Sequence, residues 1–184
     1  MALQNFAELT GRQMSTERFR ALPETNEAVI EHIDGVVYVD SPVDPHQEVV
    51  LNVVLLLKAL APQGRMRFAP MDVYLGDDTV QPDVFWVAPE SSCVLRPDNR
   101  WQGPPDLVVE VLSPTTAQRD KEGGSKFQLY QQQGVREYWI IDPIYQSIEV
   151  FVNSARTGEF WSGQTFRSML LDSQIDVSRL FESE

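Results

Sequence analysis

Cysteine is scarce: Cys93 stands alone in 184 residues. An internal disulfide is therefore impossible, and a reducing compartment, the cytoplasm, is the expected home. Histidine is scarce too. With only His32 and His46 and no group of thiolates, a zinc centre lacks the ligands it normally draws on. Hydrophobic runs of membrane length are missing. The best stretch, residues 49–60, is too short to span and is interrupted by Asn52 and Lys58, so it reads as a buried helix. The opening MALQNFAELTGRQ has no basic stretch followed by an apolar one, so a secretory signal is not expected. Positive charge is in deficit, with 15 basic against 27 acidic residues and a formal balance of −12. Such a surface repels a polyanion over about a Debye length, so general nucleic-acid binding by a basic face is not supported. A nucleic-acid role would have to rest on metal ions and a local cluster. Arg65, Arg67, Arg96, Arg100, Arg119, Lys121, Lys126 and Arg136 could supply that cluster or could be scattered solvated surface.

At 184 residues and 42% hydrophobic content, the chain can bury one substantial core, which predicts a single domain over 1–184. Residues 1–14 read as a peripheral or flexible segment. STERFRAL, opened by hydroxyl residues and stopped by Pro23, predicts a short helix. AVIEHI and VVYVD flank Asp34-Gly35, a pair that tolerates positive φ and signals a hairpin with Glu31 on its first strand. From His46 to Leu60, apolar residues at 49, 50, 53, 54, 57 and 60 follow the helical period, with Leu51, Leu55 and Leu56 broadening the face. RMRFAPMDVYL and TVQPDVFWV predict a second hairpin around Gly76-Asp77-Asp78, followed by a loop from Ala88 to Pro105. DLVVEVL reads as a central strand covered on both faces. Ser125 to Gln133 reads as a helix ended by Gly134. EYWIID, SIEVFV and EFWSG read as strands, and DVSRLFE as a closing helix. Helices and strands are mixed and hairpins prominent, so the expected class is α/β or α+β: a mixed sheet flanked by helices. Trp101, Tyr145, Phe151 and Trp161 could form a homodimer interface or pack the outer sheet, and packing is the expectation.

Two carboxylates interrupt this apolar pattern. Asp83 lies in QPDVFWV and Glu110 inside LVVEVL. A buried, unpaired carboxylate costs several kcal/mol or takes up a proton, so such groups are paired, hydrogen-bonded or metal-bound. Strand alternation puts Asp83, Phe85 and Val87 on one face, and Val108, Glu110 and Leu112 on one face of the other strand. If the two strands are neighbours, both acids converge on one point. Magnesium or manganese is the natural partner of converging carboxylates. An ion pair from Glu110 to an arginine or lysine, with Asp83 capping a turn, would answer the same pattern. Ser113 and His46 could join a triad, but no nucleophile-elbow sequence accompanies them. Gly123-Gly124 lacks the Lys-Ser/Thr ending of a phosphate loop.

The segments QPDVFWV, PPDLVVEVLSPTT and RDKEGGSKFQLYQQQGVREYWIIDP, with EHIDGVVY and SPVDPHQEVV upstream, resemble the Uma-type family of restriction-endonuclease-like proteins, within the PD-(D/E)xK nuclease class. The resemblance extends from about Ser15 to the C-terminal segment. It implies a restriction-endonuclease-like core with a metal site at one end of a mixed sheet. It also implies roles: Asp83 the first acid, Glu110 the second, Glu31 the upstream glutamate, and Lys126, four residues before Tyr130, the lysine. Leu112 occupies the place two residues after the second acid where the wider class has its lysine, and Lys121 is the rival of Lys126. Gly123-Gly124 departs from the family's shorter spacing. The activity implied is hydrolysis of DNA phosphodiesters with Mg²⁺ or Mn²⁺. The metal would sit on Asp83, Glu110, the backbone carbonyl of Val111 and Glu31, bound directly or through water; Gln128 has no assigned role. A non-catalytic interaction domain and a hydrolase of smaller phosphoesters are the alternatives.

Overall fold

A computed structural model describes residues 6–25, 28–40 and 44–182. A 3₁₀ turn at Phe6–Leu9 and helix α1 (Thr16–Arg20) lead into the hairpin β1 (Val29–Ile33) and β2 (Val36–Asp40), then the long helix α2 (Asp44–Leu60). Strands β3 (Arg65–Phe68), β4 (Val73–Leu75), β5 (Asp78–Val80) and β6 (Val84–Val87) follow. The two-residue strands β7 (Val94–Leu95) and β8 (Trp101–Gln102) precede the central β9 (Leu107–Val111). The short helix α3 (Ala117–Asp120) and helix α4 (Ser125–Gln133) cross over to β10 (Glu137–Asp142), β11 (Ser147–Val152) and β12 (Ala155–Trp161). The hairpin β13 (Thr165–Ser168) and β14 (Ser173–Asp176) and a 3₁₀ turn at Val177–Leu180 close the chain.

Among the described residues these strands form two six-stranded sheets, β2-β1-β5-β4-β8-β7 and β12-β11-β10-β9-β6-β3, besides the small hairpin. The α3–α4 crossover joins β9 to β10 in parallel, with Glu110 opposite Ile140. Local chemistry explains the ends of several elements. The Ser15 hydroxyl caps α1 by accepting from the Arg18 N–H. Asp34 and Gly35 both take positive φ in the β1–β2 turn, and Gly134 at φ +81° terminates α4.

The second sheet is covered on both faces. Phe85, Val108 and Ile140 face the first sheet and α4, whose Phe127 and Tyr130 belong to the same core. Val84, Val109, Trp139 and Ile141 face α2 and the C-terminal hairpin, meeting Val53, Leu57, Phe166 and Ile175. Each fully buried aliphatic or aromatic side chain here contributes about 1.5–3 kcal/mol.

Three expectations need correction. RMRFAPMDVYL is not one strand: it breaks between Phe68 and Val73, just as TVQPDVFWV breaks at Gln81–Asp83. The ribbon is thereby shared between sheets, β4 pairing β5 in the first and β3 pairing β6 in the second. Pro70 and Pro82, which cannot donate to a ladder, stand in the two breaks. The 88–105 loop carries β7 and β8, which extend the first sheet beyond β4. Leu51 and Leu55 are exposed, so the buried stripe of α2 is narrower than expected; Trp101 and Phe151 are packed as expected, whereas Tyr145 and Trp161 are exposed. Within 1–14, residues 6–14 are docked: Gly11 donates to Val37 O, and Phe6, Leu9 and Met14 pack against Phe19, Ile30 and Val37. The β13–β14 hairpin had no expected counterpart. Residues 1–5, and 41–43 at the start of SPVDPHQEVV, lie outside the described residues.

Candidate functional site

β6 and β9 are antiparallel neighbours with Val84 opposite Val109, and one further step of that register sets Asp83 opposite Glu110. Cross-strand partners project from the same face, here the face shared with Phe85 and Val108. Asp83 is pinned by its Oδ2, which accepts the main-chain N–H of Val111 at 2.7 Å and lies 3.1 Å from His46 Nε2 at the start of α2. Glu110 Oε1 accepts from Tyr130 OH at 2.7 Å and from Lys126 Nζ at 2.8 Å. Lys126 and Tyr130, four residues apart, share one side of α4. The same ammonium lies 2.8 Å from Glu31 Oε1, which also accepts the Gln81 N–H at 2.9 Å. Asp120 Oδ1, at the end of α3, is 3.9 Å from it. Glu31, Asp83, Glu110, Asp120, Lys126, His46 and Arg119 all line one cavity of about 330 Å³.

Three carboxyl groups thus lie within 3.9 Å of one buried ammonium, with Asp83 in the same cavity, and the imbalance governs proton affinity. Burial pushes the Glu110 carboxyl well above the usual range; Lys126 opposes this, while Asp120, Asp83 and Glu31 add to it. Burial raises Asp120 to about 6, against the pull of Lys126 and with the push of Glu31. Burial works against the Lys126 charge, yet Glu110, Glu31 and Asp120 together outweigh it and hold the ammonium well above its ordinary value. The cluster therefore holds protons tightly, as an excess of negative charge at low dielectric must. A hard cation would relieve the same excess.

The residues present fit such a cation on one observation: Glu31 Oε2 is buried with no hydrogen-bond partner, and Arg119 stands 3.8 Å from it. The donors are mostly carboxylate oxygens, which suit a hard divalent cation. Among the described residues no three His, Cys, Asp or Glu side chains form a ready-made cage. Magnesium, which retains several waters, needs no such cage and can be held by one or two carboxylates.

The family model described as "Uma2: Putative restriction endonuclease" matches residues 16–176, most of the chain and every residue of this cluster. The protein belongs to the Uma2 family. A solved structure from Anabaena variabilis ATCC 29413, described as a putative nuclease belonging to DUF820, has the same fold, with a TM-score of 0.73. The two are 19% identical, and the match covers 91% of this chain and 97% of that one. No curated protein sequence matches the chain. The Uma2 chain accordingly has the mixed-sheet nuclease-like architecture that its motifs imply.

In the Uma2 chain Lys126, not Lys121, enters the cavity; Lys121 is half-exposed and lies 3.9 Å from Asp142. Val111 turns its side chain into the core on the α2 side. Gln128 bonds locally to Gly123 O. Ser113 Oγ bonds to the hydroxyls of Thr115 and Thr116, and His32 meets Met14 O, so among the described residues no Ser–His pair and no His–His pair is formed. Of the eight basic candidates, Arg119 and Lys126 line the cavity. Arg96, Arg100 and Arg136 are paired elsewhere with Asp98, with Glu24 and Asp72, and with Asp106.

Sequence reasoning missed Asp120, Asp40 and the pairing of His46 with Asp83. Arg119 bonds to Asp40 Oδ2 while its guanidinium lies over the Tyr38 ring. His46 was detectable, being a polar residue in step with the apolar stripe of α2. Asp120 was not: it sits in the charged stretch RDKE, and only the crossover from β9 to α4 turns it inward.

Proposed function

We propose that this Uma2 protein is a Mg²⁺- or Mn²⁺-dependent nuclease that hydrolyses DNA phosphodiester bonds in the cleft lined by Glu31, Asp83, Glu110 and Lys126. The observation that carries the reading is the seating of the Lys126 ammonium between Glu31 and Glu110, beside Asp83, in a cavity open to solvent. Asp83 and Glu110 would hold the metal, with the Val111 carbonyl and Glu31 as further ligands, Glu31 directly or through water. When bound, the cation supplies a water of lowered pKa and offsets negative charge on the phosphoryl oxygens. The chain's own groups do the rest. The Val111 N–H fixes the carboxylate plane of Asp83, so its geometry is set before any ligand arrives. Tyr130 orients Glu110 through Oε1. Lys126 donates to the attacking water or to the phosphoryl oxygen, and Arg119, at the rim, is placed to meet a neighbouring phosphate.

The competing reading is a non-catalytic interaction domain. One observation favours it: Lys126 already neutralises part of the charge that a metal would neutralise. Nicking of supercoiled plasmid with Mg²⁺ or Mn²⁺, by wild type, Asp83→Ala and Glu110→Ala, separates the two. Cleavage by wild type alone is expected, and equal activity in all three proteins overturns the nuclease assignment. Competition by a small phosphodiester completes the test, since preference for it over an oligonucleotide would remove DNA as the substrate.

A further inference from the structure

Asp120 has no part in the mechanism above, yet it is one of the most completely buried acids in the protein, at 1% exposure. Its Oδ1 has no hydrogen-bond partner and is directed at the cavity, 3.9 Å from the Lys126 ammonium. Burying a carboxylate oxygen without a partner is costly, so the arrangement calls for a second state in which that oxygen is used.

Lys126 has three N–H donors, and two are spent on Glu31 Oε1 and Glu110 Oε1. The ammonium thus stands where a metal on Glu110 would compete with it. Two cations cannot share one carboxylate oxygen closely without repulsion, so a metal taking Glu110 Oε1 would move the ammonium. An unused acceptor on a different carboxylate, 3.9 Å away, is Asp120 Oδ1. We propose that Asp120 is a positioning residue, the receiving site to which the Lys126 ammonium passes when a divalent cation takes Glu110. The inference rests on the metal site of the preceding section. In this structure Lys126 bridges Glu31 and Glu110; with a divalent cation on Glu110 it would bridge Glu31 and Asp120, its third donor turned toward the reacting phosphate. Gly124 keeps the two groups in reach. A Cβ there would run into Arg119 O, so the turn between α3 and α4 closes tightly enough to fold Asp120 back against Lys126 only with glycine at this position.

The test is the affinity for Mn²⁺, by titration calorimetry without substrate, of wild type, Asp120→Asn, Lys126→Met and the double variant. Asp120→Asn keeps the shape but is a poorer acceptor for the ammonium, so Lys126 stays on Glu110 and Mn²⁺ binding weakens by about tenfold or more. In the Lys126→Met background there is no ammonium to receive, so the Asp120→Asn change should have little effect. Equal weakening in both backgrounds would make Asp120 a direct ligand or a plain electrostatic contributor, and no weakening in either would leave it idle; each result overturns the proposal. Absence of Mn²⁺ binding by wild type would instead remove the metal site itself, a failure distinguishable because it appears before any variant is compared. A crystal structure of wild type soaked with Mn²⁺ tests the idea without variants, should Lys126→Met not fold. Lys126 Nζ within hydrogen-bond distance of Asp120 supports it, and Nζ still on Glu110 with the metal bound overturns it.

Discussion

The Lys126 ammonium lies 2.8 Å from carboxylate oxygens of both Glu31 and Glu110, so a single side chain from α4 ties the first sheet to the second. All three side chains are almost wholly buried, which makes each partner's charge dependent on the others. Removing one member of such a group is more damaging than removing all of them.

Lys126→Ala is therefore expected to destabilise the fold by about 3–5 kcal/mol in chelator, because it leaves two buried carboxylates facing each other. Adding Glu31→Gln and Glu110→Gln to that variant should restore part of the loss. Urea denaturation at neutral pH checks both, and a wild-type midpoint for Lys126→Ala would contradict the bridging role.

Tryptophans from the same list of surface candidates should behave oppositely. Trp101 is 1% exposed and packs edge-on against Phe85, whereas Trp161 at the end of β12 is 45% exposed. Trp101→Ala should cost about 3–5 kcal/mol, while Trp161→Ala should stay within about 0.5 kcal/mol of wild type. Similar losses at the two positions would mean that the packing of the 88–105 segment is misplaced.

Cys93 should be chemically silent in the native protein. Burial, with a smaller push from Asp106, raises its thiol to about 12, so almost no thiolate exists at pH 8. Iodoacetamide is expected to label the chain only after denaturation, and rapid labelling under native conditions would refute this.

Alkaline pH should unfold the protein through its tyrosines. Tyr138 donates to the main-chain oxygen of Asp120 at 2.9 Å, and burial, reinforced by Glu110 and Asp120, holds its phenol well above the ordinary value. The folded state thus keeps a proton that the unfolded chain releases above about pH 10. That contribution is intact below pH 10 and lost as pH climbs toward the folded value. Urea midpoints between pH 8 and 11 should fall over the upper part of this range, and phenolate absorbance should rise together with unfolding. Complete ionisation of Tyr138 in a still-folded protein would contradict its burial.

What could be read from the residues was whatever depends on neighbours in sequence. The Asp34-Gly35 turn, the period of α2, the Gly134 stop and the apolar run of β9 each arise from backbone preferences or burial over a few positions, and each stands where expected. The alternation placing Asp83 with Phe85, and Glu110 with Val108, belongs to the same class, since a strand turns its side chains every second residue whatever its partner. The tertiary structure alone decided which strands meet. Local pattern is the same for a ribbon lying in one sheet and for one divided between two, so the breaks near Pro70 and Pro82 were invisible as changes of sheet. It also placed Lys126, and not Lys121, in the cavity. Both stand in one polar stretch, and the choice depends on how the α3–α4 crossover packs onto β9. For the same reason Asp120 lay beyond reach of the sequence: it is drawn inward not by its own character but by an ammonium that arrives from six residues away through a folded turn.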